Sequence, residues 1–155
     1  MEEAQRCQEM KLVMDTNVVL AALIRPEGLG GLLISLLDKQ HFTNYTSPEA
    51  LEELQAKIAL LAEEGKLNNA WPRVLANFLY GTEIVEPREK FNICHDEDDN
   101  KWLDIAYAAK AYVILTWDKD LLSLRGLNKT LRLKDHIVRI LKPVEFIKEE
   151  LRKEC

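Results

Sequence analysis

The residues of this sequence most able to do chemistry are carboxylates that stand where apolar segments end or helices begin. Asp15 ends the apolar run KLVMD, Asp118 follows the run YVILT, and Asp99 closes an acidic stretch that leads into a helical segment. Glu53 lies in the second turn of another predicted helix. Carboxylates that converge repel one another and raise their own pKa values unless a cation compensates. Because no cluster of His or Cys accompanies these acids, they favour Mg²⁺ or Mn²⁺ as the cofactor, as one ion or two.

The chemistry that suits such a site is hydrolysis of phosphodiester bonds, in which a bound ion activates water and stabilises the leaving oxygen. Three further acids are candidate metal ligands: Asp96, Asp98 and Asp120. Each acid also has an ordinary structural interpretation, since aspartates commonly form turns after strands and acids at a helix N-terminus gain from its dipole. The prediction therefore depends on the acids sharing one place in the fold.

The elements that must position these acids alternate between short apolar runs, typical of buried strands, and segments with helical spacing of apolar residues. The predicted strands are Lys11–Asp15, Phe42–Thr46, Glu83–Val85, Tyr112–Thr116 and Ile137–Leu141. The predicted helices are one that follows Gly30 and Gly31, one that begins at Ser47-Pro48 and ends near Glu64, then Leu67–Tyr80, Asn100–Ala111, Leu121–Leu124 and Pro143–Lys153. This alternation predicts an α/β fold of three layers, α/β/α, around a five-stranded parallel sheet.

A parallel sheet of this kind brings the carboxyl ends of its strands and the starts of the following helices to one edge, where ligands bind. Asp15 and Asp118 follow strands, and Asp99 precedes a helix. Glu53 lies near the start of the helix that follows the second strand. We therefore expect all four carboxylates to meet at that edge.

Composition limits the class of protein. The chain has 155 residues, of which 47% are hydrophobic and 30% charged, which predicts one folded domain over residues 11–155 after an N-terminal extension, residues 1–10. The first residues are polar and acidic, unlike a secretory signal, and the apolar run Val18–Ile24 is too short to span a membrane. Three widely spaced cysteines give neither a disulfide framework nor a zinc pattern, so we expect a cytoplasmic protein without a membrane partner.

The net charge of −5 argues against a protein that holds nucleic acid through a general positive potential. It leaves room for a metal-dependent enzyme that acts on phosphates, because bound divalent cations reverse the local charge. A phosphoacceptor signalling domain is a weaker alternative, since it needs an aspartate after the third strand and the segment EIVEP has none. A phosphatase with an aspartate nucleophile is also disfavoured, because Asn17 stands where its second aspartate is needed.

Five segments resemble the PIN domain family, and in particular its branch of VapC-like toxin components of toxin–antitoxin pairs. They are LVMDTNVVLAAL, SPEALEEL, CHDEDDNKWLDIA, YVILTWDKDLL and RILKPVEFI, and in order and spacing they cover Lys11–Ile147. The resemblance implies a five-stranded parallel sheet and a Mg²⁺- or Mn²⁺-dependent ribonuclease. It places the family's four catalytic and metal-binding acids on Asp15, Glu53, Asp99 and Asp118. A PIN-like module without catalytic activity is the alternative, which the presence of all four acids disfavours.

Other residues have supporting roles if the resemblance holds. Small polar side chains that orient acids or metal-bound water are predicted at Asn17, Ser47 and Thr116. Candidate contacts to RNA phosphates are Arg25, Lys101, Lys119 and Arg125. Trp117 stands where the family often has glycine. An antitoxin protein that covers the site is an expected partner, and the helix Leu67–Tyr80 is a candidate surface for it or for a homodimer.

Overall fold

The computed structural model describes residues 10–39 and 42–149, which form a sheet covered by helices on both faces. The strands are β1 Met10–Met14, β2 Phe42–Thr46, β3 Thr82–Ile84, β4 Val113–Leu115, β5 Thr130–Leu133 and β6 His136–Leu141. The helices are α1 Thr16–Ile24, α2 Leu29–Asp38, α3 Pro48–Glu63, α4 Trp71–Tyr80, α5 Asn100–Ala109, α6 Lys119–Leu122 and α7 Pro143–Glu149. Short 3₁₀ turns lie at Glu97–Asp99 and Leu127–Lys129.

The sheet has the strand order β3-β2-β1-β4-β6-β5. The first five strands in this order are parallel, which confirms the predicted five-stranded parallel sheet. The sheet also contains a sixth strand, β5, which was not predicted. It lies at the edge and pairs antiparallel with β6 through a turn at Lys134 and Asp135. The region between the 3₁₀ turn and β6 is thus a hairpin strand rather than a loop.

Successive residues of the central strands point to opposite faces, as the period of a β-strand requires. On β1, Leu12 and Met14 join a core formed mainly with α1, α2, α4 and α7. Val13 points the other way, into a core that includes α5 and Leu121 of α6. The two cores on either side of one sheet confirm the three-layer architecture.

Helix α1 is an element that the sequence pattern did not indicate. Six of its nine residues are buried, so it lacks the broad polar face that makes a helical period visible. Helix α2 begins at Leu29, which places Gly30 and Gly31 inside its first turn rather than before it. A side chain at Gly30 would lie 2.8 Å from the carbonyl oxygen of Val18, so this glycine permits the close approach of α1 and α2.

We predict that Gly31→Ala lowers the free energy of unfolding by about 3 kcal/mol, although alanine is the better helix former. The added Cβ would lie 1.8 Å from the carbonyl oxygen of Pro26, so backbone must move. Gly28→Ala is the matched control, because its Cβ would meet only the Arg25 carbonyl oxygen at 3.5 Å, an ordinary contact. Urea denaturation measures both variants. Equal effects at the two positions would contradict the packing argument.

The remaining element boundaries follow from local chemistry. Ser47 caps α3, its Oγ accepting the N–H of Ala50 at 3.2 Å, and Pro48 occupies the first helical position, as predicted. Helix α4 begins at Trp71 rather than Leu67. The end predicted for the last helix, Lys153, lies outside the described residues, as do Cys7, Cys155 and residues 1–9.

No single helix of the described chain is long and apolar enough to cross a membrane, although α1 and α2, bent by 100°, pass such a test together.

Candidate active site

The four predicted acids lie at the edge of the sheet where its parallel strands end. Asp15 connects β1 to α1, and Asp118 lies between β4 and α6. Strands β1 and β4 are hydrogen-bonded neighbours in the sheet. Asp99 closes the 3₁₀ turn that leads into α5, and Glu53 projects from the second turn of α3. The topology therefore delivers residues from four separate segments to one place.

Thr116 links the first and fourth of these acids. Its Oγ1 donates to Asp15 Oδ2 at 2.5 Å and accepts the backbone N–H of Asp118 at 2.8 Å. The other oxygen of Asp15 accepts the N–H of Asn17 at 2.7 Å, and Asp118 Oδ1 accepts the N–H of Asp120 at 2.7 Å. Both aspartates therefore cap the helix that follows them and still present a carboxylate at the shared edge.

Asp99 is the least compensated acid of the group. Its side chain is 8% exposed, and its Oδ2 has no hydrogen-bond partner among the described residues. Burial raises the pKa of Asp99 to about 7, and the charges of Asp118, Asp96 and Asp15 add to this shift. Burial also raises the pKa of Asp15, against the opposing effect of the Thr116 hydrogen bond. The part of the chain that the structure describes thus concentrates negative charge here and pairs no cation with Asp99.

The other candidate ligands fall into two groups. Asp96, Asp99 and Asp120 each have a carboxylate oxygen within 4.8 Å of the others, a spacing that one metal ion could bridge. Asp98 instead directs its Oδ1 to the Lys101 ammonium at 3.0 Å. Asp96 and Asp120 therefore lie beside Asp99, and Asp98 lies on the other side of the acidic turn.

Glu53 is held by three donors. Its Oε1 accepts the Thr16 hydroxyl at 2.9 Å and lies 3.3 Å from Lys101 Nζ, and its Oε2 lies 3.4 Å from Lys57 Nζ. Lys101 is only 6% exposed. Although burial lowers the pKa of Lys101, its hydrogen bond to Asp98 and the charge of Glu53 outweigh this, so the pKa is raised. Lys101 is therefore a buried ammonium at neutral pH, within the site.

The amino-acid sequence matches a known family over the segment that carries these acids. A family model described as PIN domain matches residues 11–120. This chain belongs to the PIN domain family. An uncharacterized protein of Methanocaldococcus jannaschii is 38% identical in an alignment that covers 96% of each chain. The crystal structure of VapBC2 from Rickettsia felis bound to a DNA fragment from their promoter is similar over 70% of this chain and 89% of that chain, with a TM-score of 0.48 and 18% identity.

The other basic residues predicted from the PIN domain sequence have different surroundings. Lys119 is exposed directly after Asp118. Arg25 follows the last turn of α1, roughly 15 Å along the helix axis from Asp15, so it does not lie at the carboxylate edge. Arg125 donates to Glu145 Oε1 at 2.8 Å and to the carbonyl oxygen of Ile140 at 2.9 Å. Lys119 is thus the most accessible of these side chains at the site.

The Arg125 contact predicts an acid-sensitive contribution to the stability of this PIN domain. The hydrogen bond from Arg125 lowers the pKa of Glu145 from 4.5 to about 2, helped by the N–H of Lys142 and by Lys129. A lowered folded-state pKa stabilises the fold above pH 4.5, and this stabilisation is lost as pH falls toward 2. We expect Glu145→Gln to cost about 2 kcal/mol at pH 7 and progressively less toward pH 3. Urea denaturation at several pH values measures this, with Glu63→Gln as the exposed control, and a difference independent of pH would contradict it.

Sequence reasoning missed two residues that position the acids of this PIN domain. Thr16 reaches Glu53 through its hydroxyl. Asn100 accepts the backbone N–H groups of Ile93 and Cys94, at 3.1 and 2.9 Å, and donates to the Glu97 carbonyl oxygen at 3.2 Å. It therefore fastens the acidic turn to the preceding loop. Both follow an aspartate directly in the sequence, but the partner of each lies on another segment or in an irregular loop, which no periodicity marks.

An open cleft of ≈ 710 Å³ lies beside the acidic turn. Its lining includes Lys90, Phe91, Asn92, Asp96, Asp98 and Lys101. Lys90 was not among the predicted basic contacts, because the irregular segment that carries it gives no sign of which residues it approaches. Its described lining does not include Asp15, Glu53, Asp99 or Asp118, so the cleft lies beside the carboxylate edge rather than over it.

Proposed function

We propose that this PIN domain is a Mg²⁺- or Mn²⁺-dependent ribonuclease whose active site comprises Asp15, Glu53, Asp99 and Asp118. One observation carries the proposal: a buried carboxylate oxygen, Asp99 Oδ2, has no hydrogen-bond partner among the described residues and lies among other acids. A buried charge in this state is costly unless something binds it. A divalent cation is the ligand that supplies the missing interaction.

The donor atoms fit a hard cation. Asp99 and Asp118 offer carboxylate oxygens, Asp15 is tied to Asp118 through Thr116, and Asp96 and Asp120 lie close to Asp99. Cys94 is buried nearby, but burial and the neighbouring acids raise the pKa of its thiol to about 12, so it stays protonated. A site of oxygens without a thiolate favours Mg²⁺ or Mn²⁺ over Zn²⁺.

The contacts at the site assign separate roles to the ion and to the surrounding side chains. When bound, the ion supplies an activated water and neutralises charge on the leaving oxygen of a phosphodiester. Thr116 fixes the Asp15 carboxylate relative to Asp118, and the Thr16 hydroxyl orients the Glu53 carboxylate by donating to it. Lys119 at the edge and Lys90 in the cleft are the cations placed to contact RNA phosphates.

The toxin role belongs to the same proposal, with an antitoxin partner in the cytoplasm. It rests on the resemblance of the sequence segments to the toxin branch of PIN domains. An apolar groove between α3 and α4, lined by Leu51, Leu54, Ile58, Trp71, Leu75 and Leu79, is where we place the antitoxin or a second copy. Light scattering on the purified chain distinguishes a monomer that keeps the groove open for an antitoxin from a homodimer.

The test of the proposed activity is cleavage of a mixed RNA pool by the purified protein with Mn²⁺, with EDTA, and as Asp15→Asn. We expect cleavage only with Mn²⁺ and only in a protein that retains Asp15. Asp38→Asn at the end of α2 is the control, because this exposed acid lies away from the site. Cleavage that survives chelation or Asp15→Asn would overturn the proposal. Metal binding without any cleavage would instead favour an inactive PIN-like module.

A further inference from the structure

Lys101 is a cation built into the acidic edge. Its Nζ donates to Asp98 Oδ1 and to the Asp98 carbonyl oxygen, both at 3.0 Å, and lies 3.3 Å from Glu53 Oε1. Its side chain is 6% exposed. Lysine is almost never buried to this degree unless it is paired, so the position of this ammonium is set by the two carboxylates it bridges. It is too enclosed to serve as an ordinary surface contact for RNA.

The acids at this edge consequently divide into two halves. On one side, Glu53 has the Lys101 ammonium, the Thr16 hydroxyl and the Lys57 ammonium within reach. On the other side, Asp99 has a buried oxygen with no partner among the described residues, and its neighbours are further acids. Within residues 10–39 and 42–149, positive charge is therefore already present beside Glu53 and is lacking beside Asp99.

We propose that the Lys101 ammonium takes the place of a second divalent cation, so that the protein binds a single ion on the Asp99 side and Glu53 remains paired with Lys101. The proposal rests on the proposed function, since it concerns the metal of the same site. Two-metal nuclease sites place ions roughly 3.5–4 Å apart between shared carboxylates. A second ion that shared Glu53 would have to displace Lys101 or lie beside its positive charge, and both are unfavourable.

The experiment counts bound ions by titrating the metal-free protein with Mn²⁺ and following free Mn²⁺ by electron paramagnetic resonance. We expect the wild-type chain to bind one Mn²⁺. Lys101→Met frees Glu53 and is expected to bind a second, weaker Mn²⁺. Lys57→Met is the matched control, because Lys57 also contacts Glu53, at 3.4 Å, but from an exposed position, so this variant should still bind one.

Two further variants guard against misfolding and locate the second ion. Lys101→Gln keeps a hydrogen-bond donor for Glu53 and should also bind two ions if Lys101→Met fails to fold. The double variant Lys101→Met with Glu53→Gln removes both charges and should return to one. Two ions in the wild type, one in both single Lys101 variants, or two in the double variant would each overturn the inference.

Failure of this inference is distinguishable from failure of the proposed function. RNA cleavage by a wild-type chain that binds two Mn²⁺ overturns the inference alone. One bound Mn²⁺ without cleavage overturns the ribonuclease proposal and leaves the inference in place. A wild-type chain that binds no Mn²⁺ overturns both.

Discussion

Asp99→Asn is expected to reduce RNA cleavage about 10³-fold, a loss of about 4 kcal/mol in transition-state stabilisation, while making the metal-free protein more stable. Asparagine keeps the size of the side chain and removes the charge that burial and the neighbouring acids disfavour. At pH 8 without metal, we expect the melting temperature to rise by roughly 5–10 °C. Calorimetry and the RNA cleavage assay measure the two effects on the same preparation.

The control for Asp99→Asn is Asp104→Asn on α5, the helix that follows Asp99. Asp104 is 6% exposed and burial raises its pKa too, but its Oδ1 accepts the N–H of Phe91 at 2.8 Å. We expect Asp104→Asn to give no stabilisation and to leave the effect of Mn²⁺ on the melting temperature intact. An Asp99→Asn protein that is inactive because it is less stable than the wild type would contradict the account, since the loss would then be structural.

The second large effect is a pH-dependent loss of stability that Mn²⁺ reverses. The Asp99 carboxyl group titrates near 3.8 when unfolded and at about 7 when folded, so the folded state holds the extra proton in this window. Stability of the metal-free protein therefore falls as pH rises from about 4 to 7, by an amount on the order of 4 kcal/mol from this group. Above pH 7 the cost is fully present, and a bound ion should offset it.

Thermal unfolding of the wild type and Asp99→Asn, with and without Mn²⁺ from pH 4 to 8, measures this effect. The difference between the two proteins cancels the titration of groups that do not interact with Asp99. We expect it to grow with pH in the absence of metal. At 100 times its dissociation constant, Mn²⁺ should stabilise the wild type by about 2.7 kcal/mol at pH 8 and Asp99→Asn by much less. Parallel pH profiles for the two proteins would refute the assignment of the uncompensated charge to Asp99.

The parts of the fold that the sequence predicts are those with a visible local signal. The runs KLVMD and YVILT end in polar residues, and Ser47-Pro48 marks the start of a helix by its chemistry. Helix α1 has no such signal, because six of its nine residues are buried and it has no broad polar face. Strand β5 was not predicted, because it is a half-exposed edge strand and its turn at Lys134 and Asp135 contains neither Gly nor Asn.

The candidate site likewise has features that the sequence predicts and features that only the packing of the fold reveals. Topology alone places Asp15 and Asp118 together, because β1 and β4 are neighbours and both acids follow strand ends. The missing hydrogen-bond partner of Asp99 depends on how the acidic turn lies beside the other acids, and the pairing of the buried Lys101 depends on where α3 places Glu53. The sequence predicts Lys101 as a candidate contact to RNA phosphates, and only the position of Glu53 on a distant helix shows that it pairs with a carboxylate of the site.

The most direct test of the central claim is the anomalous diffraction of Mn²⁺ in crystals of the wild-type protein grown or soaked with the ion. The account predicts one strong anomalous peak bonded to Asp99 and Asp118 and near Asp15, with Lys101 still against Glu53. A peak at some other part of the molecule, or none at Mn²⁺ concentrations that support RNA cleavage, would contradict it.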